Sequence, residues 1–334
     1  MVSLMGGSQR SLRTILLFLV LAVLLLVGLL HMYVGLFLPQ LMVEVEGPPV
    51  TNIMFLKTHK TASSTVLNIL YRFAEMHNLS VALPQGPNIH LGYPCLFTAH
   101  YVEGALQAGP HLGPPRQFNI MCNHLRFNLP EVQKVMPKDT FYFSILRHPV
   151  AHLESSFTYF KDYTPAFRAA RSLDAFLEAP QRFYNASAGL RNAYARKGMW
   201  FDLGYDSDAP AEDAYVRARL AELERRFQLV LIAEHFDKSM VLLRRLLRWR
   251  LDDLEALCLP VGAIRSGASI ADPQLRPYQS GAADILGYIL RPDLDNATLR
   301  LCLRMVTPEV QYMARLYSLQ FPEKPPKKIP FLEQ

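Results

Sequence analysis

Residues 52–70 constrain the possible folds of this chain more than any other stretch. They begin with an apolar run, residues 53–56, which has the length and composition of a buried strand. A turn rich in lysine and small hydroxyl residues follows, and apolar residues then recur at helical spacing over residues 66–73. A strand, a turn and a helix in this order aim backbone N–H groups and a helix N-terminus at an anion. The stretch therefore predicts a phosphate-binding loop.

The side chains of this loop indicate how an anion would be held. Lys60 would supply a positive charge, and Ser63, Ser64 or Thr65 would supply a helix cap and hydroxyl donors. The loop lacks the G-x-x-x-x-G-K-[ST] pattern of nucleoside triphosphatases. The sequence therefore predicts a phosphate cradle of another kind.

The N-terminal part of the chain is not globular. Residues 15–38 are apolar and long enough to cross a bilayer, for which about 20 residues suffice, and Arg10 and Arg13 precede them. Positive residues before a span place the N-terminus in the cytoplasm. We therefore predict a cytoplasmic tail (1–14), a transmembrane signal anchor (15–38), a stem (39–51) and a luminal domain (52–334). A cleaved signal peptide is the alternative, although the apolar run is too long for a signal-peptide core.

Glycosylation sequons support a luminal position for the main part of the chain. Three begin at Asn78, Asn185 and Asn296. The lumen also permits disulfides between the four cysteines, but Cys122 lies in a predicted buried strand and could equally be a free core thiol. No pair of cysteines has the spacing of a zinc site.

Strands and helices alternate along the rest of the chain. Further strands are predicted at 118–122, 140–146 and 229–233, and the main helices at 150–160, 213–227, 238–249 and 308–319. The segment 79–115 is predicted to form loops over the site. This alternation predicts an α/β fold with a mainly parallel sheet flanked by helices.

Polar residues follow two other predicted strands. Arg147 follows strand 140–146, with Ser155 about two turns into the next helix, and His124 follows strand 118–122. Ligands of open α/β sheets bind at the carboxyl ends of strands, so these side chains are expected to face the crevice that holds the loop. Arg147 and Ser155 would clamp a second phosphate. His124 would be the general base that takes a proton from an attacking hydroxyl.

The two phosphate motifs resemble those of Golgi carbohydrate sulfotransferases. FLKTHKTASST at 55–65 is similar to their 5′-phosphosulfate loop, and FSILRHP at 143–149, with ESSF at 154–157, is similar to their 3′-phosphate element. CNHLRF at 122–127 and WFDLGY at 200–205 extend the resemblance to the galactose 3-O-sulfotransferases.

This resemblance implies transfer of a sulfuryl group from 3′-phosphoadenosine 5′-phosphosulfate (PAPS) to the 3-hydroxyl of a terminal β-galactose. It implies a P-loop-like sulfotransferase fold, a single-pass type II protein of the Golgi membrane, and a glycoprotein or glycolipid acceptor. Lys60 would neutralise charge on the leaving phosphate, and His124 would be the base. No metal and no nucleic acid is expected. The residues that would hold the donor are Lys57, Lys60, Thr61, Ala62, Ser63, Ser64, Thr65, Arg147 and Ser155.

The sequence also allows other interpretations. Members of the family carry more residues after about position 253, so the chain is expected to be a shortened form, and an inactive membrane-anchored glycan- or donor-binding protein is the alternative function. A phosphoryl-transfer enzyme would need a Mg²⁺-binding carboxylate after a strand, and none is convincingly placed. Glu154 and Glu234 are alternative bases, His124 could be structural, and His59 is interpreted as a loop residue.

Overall fold

The computed structural model describes residues 5–41, 47–106, 115–251, 253–254, 264–268, 287–290 and 295–328. Two compact units make up the chain, Met1–Gly47 and Pro48–Gln334. The described part of the first is one long helix, α1 (Met5–Leu41). Within it, Ile15–Tyr33 has a mean hydropathy of 3.0 over 19 residues. The helix is therefore long and apolar enough to act as a transmembrane anchor, although it begins inside the predicted cytoplasmic tail.

The second unit is built on a parallel sheet of four strands. They are β1 (Ile53–Leu56), β2 (Ile120–Met121), β3 (Phe141–Leu146) and β4 (Leu229–Ile232), in the order β2-β1-β3-β4. All three strand pairs are parallel. Every residue of β1 is buried and apolar, as expected for a central strand covered on both faces. The predicted mainly parallel sheet is confirmed, with β2 shorter than expected.

Eleven described α-helices belong to the second unit. They are α2 (Ser63–Met76), α3 (Leu129–Val135), α4 (Pro149–Phe160), α5 (Pro165–Ala169), α6 (Leu173–Glu178), α7 (Pro180–Phe183), α8 (Gly198–Asp202), α9 (Asp213–Arg226), α10 (Phe236–Leu247), α11 (Asn296–Val306) and α12 (Glu309–Gln320). A separate antiparallel pair joins β5 (Ile264–Ala268) to β6 (Gly287–Leu290).

Apolar residues cover both faces of the parallel sheet because alternate residues of a strand point to opposite sides. On one face, Ile53 and Phe55 join a core that includes side chains of α2, α10 and α12. On the other face, Met54 and Leu56 join a core that includes residues of α3. The predicted flanking of the sheet by helices is therefore confirmed.

A third cluster surrounds the short helices between α4 and α8. Phe157, Phe167 and Phe176 are buried there with Tyr194. These aromatic residues, Phe176 among them, therefore form a core of their own.

The described cysteines carry free thiols. Cys95 is exposed, whereas Cys122 and Cys302 are buried. Cys258 lies outside the described residues. Of the two possibilities for Cys122, the structure therefore shows the free core thiol.

Candidate active site

A cleft of about 800 Å³ opens at the carboxyl ends of the four parallel strands. Its wall includes the residue after β1 (Lys57), the residue after β3 (Arg147) and the residue after β4 (Ala233). His124, three residues beyond β2, lies in the same wall. The strand ends meet here because parallel strands place their carboxyl ends at one edge of the sheet.

The structure brings together nearly all the residues predicted to hold the donor. Those that line the cleft are Lys57, Lys60, Thr61, Ala62, Ser63, Ser64, Arg147 and Ser155. Thr65 is the exception, because it is exposed in the first turn of α2 and does not line the cleft. Its backbone N–H donates to the carbonyl of Ala62 at 3.1 Å.

The loop between β1 and α2 has an unusual backbone. Lys60 (φ 58°) and Ala62 (φ 64°) are both in the left-handed region, at a cost of about 1–3 kcal/mol each for residues other than glycine. Side-chain bonds inside the loop hold this conformation: the hydroxyl of Ser63 donates to the carbonyl of Thr58 at 2.5 Å, and that of Thr61 donates to the same carbonyl at 3.1 Å. The hydroxyl of Ser63 therefore shapes the loop.

Helix α2 begins without a side-chain cap, although its first turn contains serine and threonine. The expected cap is absent because Ala62 occupies the N-cap position and the Ser63 hydroxyl is bonded to Thr58. The N–H groups at the start of an uncapped helix are suited to bind an anion, although the N–H of Thr65 is already bonded to the Ala62 carbonyl. One turn further, the amide oxygen of Asn68 is buried in the cleft wall without a hydrogen-bond partner among the described residues.

Positive charge is concentrated on one side of the cleft. The ammonium group of Lys60 lies 3.8 Å from the ring centroid of Tyr159, and the guanidinium of Arg147 donates to the carbonyl of Lys60 at 3.1 Å. Burial, followed by the charges of Lys57 and Arg147, lowers the pKa of Lys60 to about 8. Surroundings that disfavour the positive charge of Lys60 in this way favour the binding of an anion beside it.

A carboxylate that the sequence reasoning missed lies beside the loop. Glu309, the first residue of α12, places Oε2 3.2 Å from Nζ of Lys57 and accepts a 2.6 Å hydrogen bond from Ser64. Burial raises the pKa of Glu309, but Lys57 and the Ser64 hydroxyl outweigh it, so the pKa lies below its ordinary value. The pair Pro308-Glu309 is typical of a helix start. No pattern in the neighbouring sequence indicates that Glu309 contacts Lys57 and Ser64.

Both ring nitrogens of His124 are engaged. Nδ1 lies 3.0 Å from the carbonyl oxygen of Lys57, which only accepts, so Nδ1 carries the proton. Nε2 then accepts from the ammonium group of Lys57 at 2.8 Å. Burial lowers the pKa of His124, and the neighbouring His59 and Lys57 lower it further. His124 is therefore neutral and holds Lys57 in place.

A second histidine, His59, stacks on His124 with ring centroids 3.8 Å apart and planes 4° from parallel. Its Nδ1 lies 3.1 Å from both carboxylate oxygens of Asp202, and its backbone N–H donates to Oδ2 of Asp202 at 2.8 Å. His59 is buried and lines the cleft. Its interpretation as an ordinary loop residue was incomplete, because its partner is 143 residues away and no sequence pattern links the two.

Aromatic side chains also line the cleft. Tyr93, Tyr159, Phe160, Tyr163 and Tyr194 contribute to it, and the rings of Phe160 and Tyr194 stack with centroids 4.0 Å apart. The segment 79–115, predicted to form loops over the site, contributes His90, Tyr93 and Pro94 to the wall.

The two carboxylates predicted as alternative bases lie in different places. Glu234 lines the cleft and accepts the backbone N–H of His148 at 2.9 Å. Glu154 does not line it. Among the described residues, no group of three or more His, Cys, Asp or Glu side chains has the geometry to hold a metal ion.

Comparison with known proteins places the chain in a family. The family model for galactose-3-O-sulfotransferase matches residues 1–260 and 252–320. Galactose-3-O-sulfotransferase 2 of Sus scrofa is 58% identical, covering 99% of this chain and 100% of the relative. Galactose-3-O-sulfotransferase 2 of Homo sapiens is 56% identical with the same coverage. Galactosylceramide sulfotransferase of Homo sapiens is 33% identical over 81% of this chain and 79% of the relative. No solved structure matches the chain.

The match to the pig protein bears on the expected shortened form. Its alignment runs over 401 positions for the 334 residues of this chain, but it extends over the whole of the relative. The prediction of a form that lacks part of the catalytic domain is therefore not upheld, and much of the segment on which it rested lies outside the described residues. With the family model covering most of its length, the chain belongs to the galactose-3-O-sulfotransferase family, a family of sulfotransferases.

Proposed function

We propose that this protein transfers a sulfuryl group from PAPS to the 3-hydroxyl of a terminal β-galactose on a glycoprotein or glycolipid glycan. The observation that carries the proposal is the cleft at the strand ends, where an uncapped helix start and three cationic side chains (Lys57, Lys60 and Arg147) face one space. Family membership supports galactose as the acceptor sugar and sulfotransfer as the reaction.

The residues of the cleft fit a donor with two separate phosphate groups. Lys57, Lys60 and the backbone of residues 61–64 would hold the 5′-phosphosulfate, with a hydrogen bond from the hydroxyl of Ser64. Arg147 and Ser155, on β3 and α4, would hold the 3′-phosphate. The unpartnered amide oxygen of Asn68 offers a further acceptor to a bound ligand. A volume of about 800 Å³ lies within the usual range for ligand pockets. Thr65 has no part in this proposal.

The bound donor supplies an activated sulfuryl group. The chain's own residues then perform three tasks. Lys60 neutralises the charge that develops on the leaving phosphate. Lys57 is held between His124 and Glu309 and can turn from these partners to an incoming anion. A histidine of the stacked pair, His59 and His124, accepts the proton of the sugar hydroxyl; the sequence prediction for this role is His124.

Other parts of the chain support a sulfotransferase fold and a membrane location. A strand, a phosphate loop and a helix, with a second phosphate element after the neighbouring strand β3, are consistent with a P-loop-like sulfotransferase fold. Helix α1 would anchor the protein as a single-pass type II protein of the Golgi membrane, with residues 52–334 in the lumen. The sequon residues Asn78, Asn185 and Asn296 are all exposed, as glycan attachment in the lumen requires.

A transfer assay with the full-length protein in detergent tests the proposal. The protein is incubated with ³⁵S-labelled PAPS and a glycan ending in β-galactose, and the matched control acceptor carries 3-deoxygalactose. We expect label on the first acceptor only, with no effect of a metal chelator. Label on the 3-deoxy acceptor would contradict the 3-hydroxyl assignment, and chelator-sensitive transfer from ATP would indicate a phosphoryl-transfer enzyme. Donor binding without any transfer would favour the binding-protein alternative.

A further inference from the structure

Resting on the proposed function, we propose that His59, rather than His124, accepts the proton of the acceptor hydroxyl, and that Asp202 and Tyr93 are the residues that position it. The two stacked histidines lie in the same wall of the cleft. They differ in whether a ring nitrogen is free to accept a proton.

His124 has no free ring nitrogen. Its Nε2 accepts from the ammonium group of Lys57 at 2.8 Å, and its Nδ1 donates to the carbonyl of the same residue at 3.0 Å. A base must present an unshared lone pair to the substrate hydroxyl. His124 would gain one only by releasing Lys57, so its geometry suits the placement of that lysine.

His59 has the same tautomer but a free Nε2. Its Nδ1 faces the Asp202 carboxylate, which only accepts hydrogen bonds, so Nδ1 carries the proton and Nε2 carries the lone pair. Nε2 has no hydrogen-bond partner in the described part of the chain, and the residue lines the cleft. A histidine whose Nδ1–H is held by a buried carboxylate, with Nε2 directed at the reacting hydroxyl, is the orientation used in hydrolytic triads.

Asp202 is itself fixed from several sides. It is 1% exposed, and its carboxylate accepts the backbone N–H of His59 at 2.8 Å and the hydroxyl of Tyr93 at 2.9 Å. Its own carbonyl accepts the N–H of Phe127 at 3.0 Å. Burial, and then the charge of Asp202, raises the pKa of Tyr93, so the phenol keeps the proton that it donates. A carboxylate with this many donors is held in one orientation.

The backbone of His59 is also anchored, since its carbonyl accepts Nε2–H of His152 at 3.1 Å. The ring of Phe160 packs edge-on against the ring of His59, with ring centroids 5.9 Å apart. The titratable groups that face His59 are Asp202, Tyr93, Tyr194, His90, His124 and His152.

In the proposed step, the galactose oxygen forms a bond to sulfur while the bond from sulfur to the leaving phosphate oxygen breaks, and that electron pair stays with the phosphate. The hydroxyl proton moves to Nε2 of His59, which becomes an imidazolium. The Asp202 carboxylate stabilises this cation through Nδ1–H, as a carboxylate does in a triad.

Paired substitutions separate the two histidines. Asn places an amide nitrogen near the position of Nδ1, so His59→Asn keeps a bond to Asp202 but lacks Nε2, and His124→Asn keeps the bond to the Lys57 carbonyl but lacks Nε2. The measurements are the single-turnover transfer rate at saturating PAPS and the Kd for adenosine 3′,5′-bisphosphate. We expect His59→Asn to slow transfer by about 100-fold or more with the Kd changed less than about threefold. His124→Asn should instead weaken binding of the bisphosphate, and its saturated rate should fall much less than that of His59→Asn.

The reverse pattern, with near wild-type transfer in His59→Asn and none in His124→Asn, would overturn the proposal while leaving the sulfotransferase function intact. Absence of transfer in the unmodified protein would overturn the proposed function instead. Asp202→Asn gives an independent readout should His59→Asn fail to fold. Removing the carboxylate makes the imidazolium less stable, so the acidic limb of the transfer rate should move to lower pH and the plateau should fall. A fall in the amount of folded protein with an unmoved acidic limb would assign Asp202 a structural role only and contradict the proposal.

Discussion

The ammonium group of Lys57 lies 3.2 Å from the carboxylate of Glu309, although the two residues come from opposite ends of the folded unit's sequence. The same carboxylate oxygen accepts the hydroxyl of Ser64. The Glu309 carboxylate therefore binds two of the groups proposed to hold the 5′-phosphosulfate, the ammonium group of Lys57 and the hydroxyl of Ser64. Donor binding has to compete with this carboxylate for both.

This competition predicts that Glu309→Gln tightens donor binding. Removing a negative charge beside an anion site reduces repulsion, and the amide competes less well for Lys57. We expect the Kd for adenosine 3′,5′-bisphosphate to fall about tenfold, or about 1.4 kcal/mol. Isothermal titration calorimetry measures it, with the exposed Glu323→Gln as control. Weaker binding in Glu309→Gln would show that the carboxylate organises Lys57 for the donor.

The charge state of Lys60 predicts how the activity should depend on pH. Its pKa is lowered to about 8, so the side chain is charged below that pH and loses its charge as the pH rises through it. We expect kcat/KM, which reports the free enzyme, to fall between pH 7 and pH 9. In Lys60→Arg this alkaline fall should disappear, because the guanidinium keeps its charge. Lys60→Ala should lose most activity at every pH, and near wild-type turnover in that variant would remove Lys60 from the site.

Arg147 is expected to recognise the 3′-phosphate. The unmodified protein should bind adenosine 3′,5′-bisphosphate more tightly than adenosine 5′-monophosphate, and Arg147→Ala should lose most of this preference. A hydrogen bond to a charged group contributes about 1.5–3 kcal/mol, so the expected loss is about 10- to 100-fold. Competition binding with the two nucleotides measures it. An equal loss of affinity for both would mean that Arg147 acts through the Lys60 carbonyl, which its guanidinium contacts.

Replacing Gly204, which lies close to the site, should destabilise the protein. It has φ +94°, and a β-carbon there would lie 2.2 Å from the carbonyl oxygen of Phe127. Gly204→Ala therefore combines backbone strain with a clash against the backbone, and we expect it to lower the free energy of unfolding by more than about 2 kcal/mol.

Gly189→Ala is the matched control for Gly204→Ala. Gly189 has a similar φ of +89° but open space around it, so only the backbone strain applies. Thermal unfolding of the two variants should show a clearly lower Tm for Gly204→Ala. Equal values would mean that the chain relaxes around the clash at little cost.

Local patterns were enough to predict the parts of the site that lie at strand ends. The apolar run of β1, the small-residue turn and the periodic face of α2 are adjacent in sequence, and the rule for parallel sheets then places Arg147 and His124 nearby. The loop's internal bonds were not predictable, because whether the Ser63 hydroxyl turns to the Thr58 carbonyl or to a ligand depends on the left-handed backbone at Ala62.

Contacts between distant segments also could not be predicted from the sequence. Asp202 meets His59 across 143 residues, and Glu309 meets Ser64 across 245. Neither pair leaves a periodicity or a spacing motif, since each depends on how α8 or α12 packs. The sequence therefore identified the anion-binding side of the cleft, whereas the acidic partners of its lysine and histidine came from the structure.

The central claim is that the cleft at the strand ends is the donor site, and equilibrium binding of adenosine 3′,5′-bisphosphate to the full-length protein tests it most directly. Isothermal titration calorimetry should show one equivalent bound by the unmodified protein and binding at least about 100-fold weaker in the Lys60→Ala/Arg147→Ala double variant, which loses two charged contacts. No binding to the unmodified protein, or equal affinity in the double variant, would contradict the account.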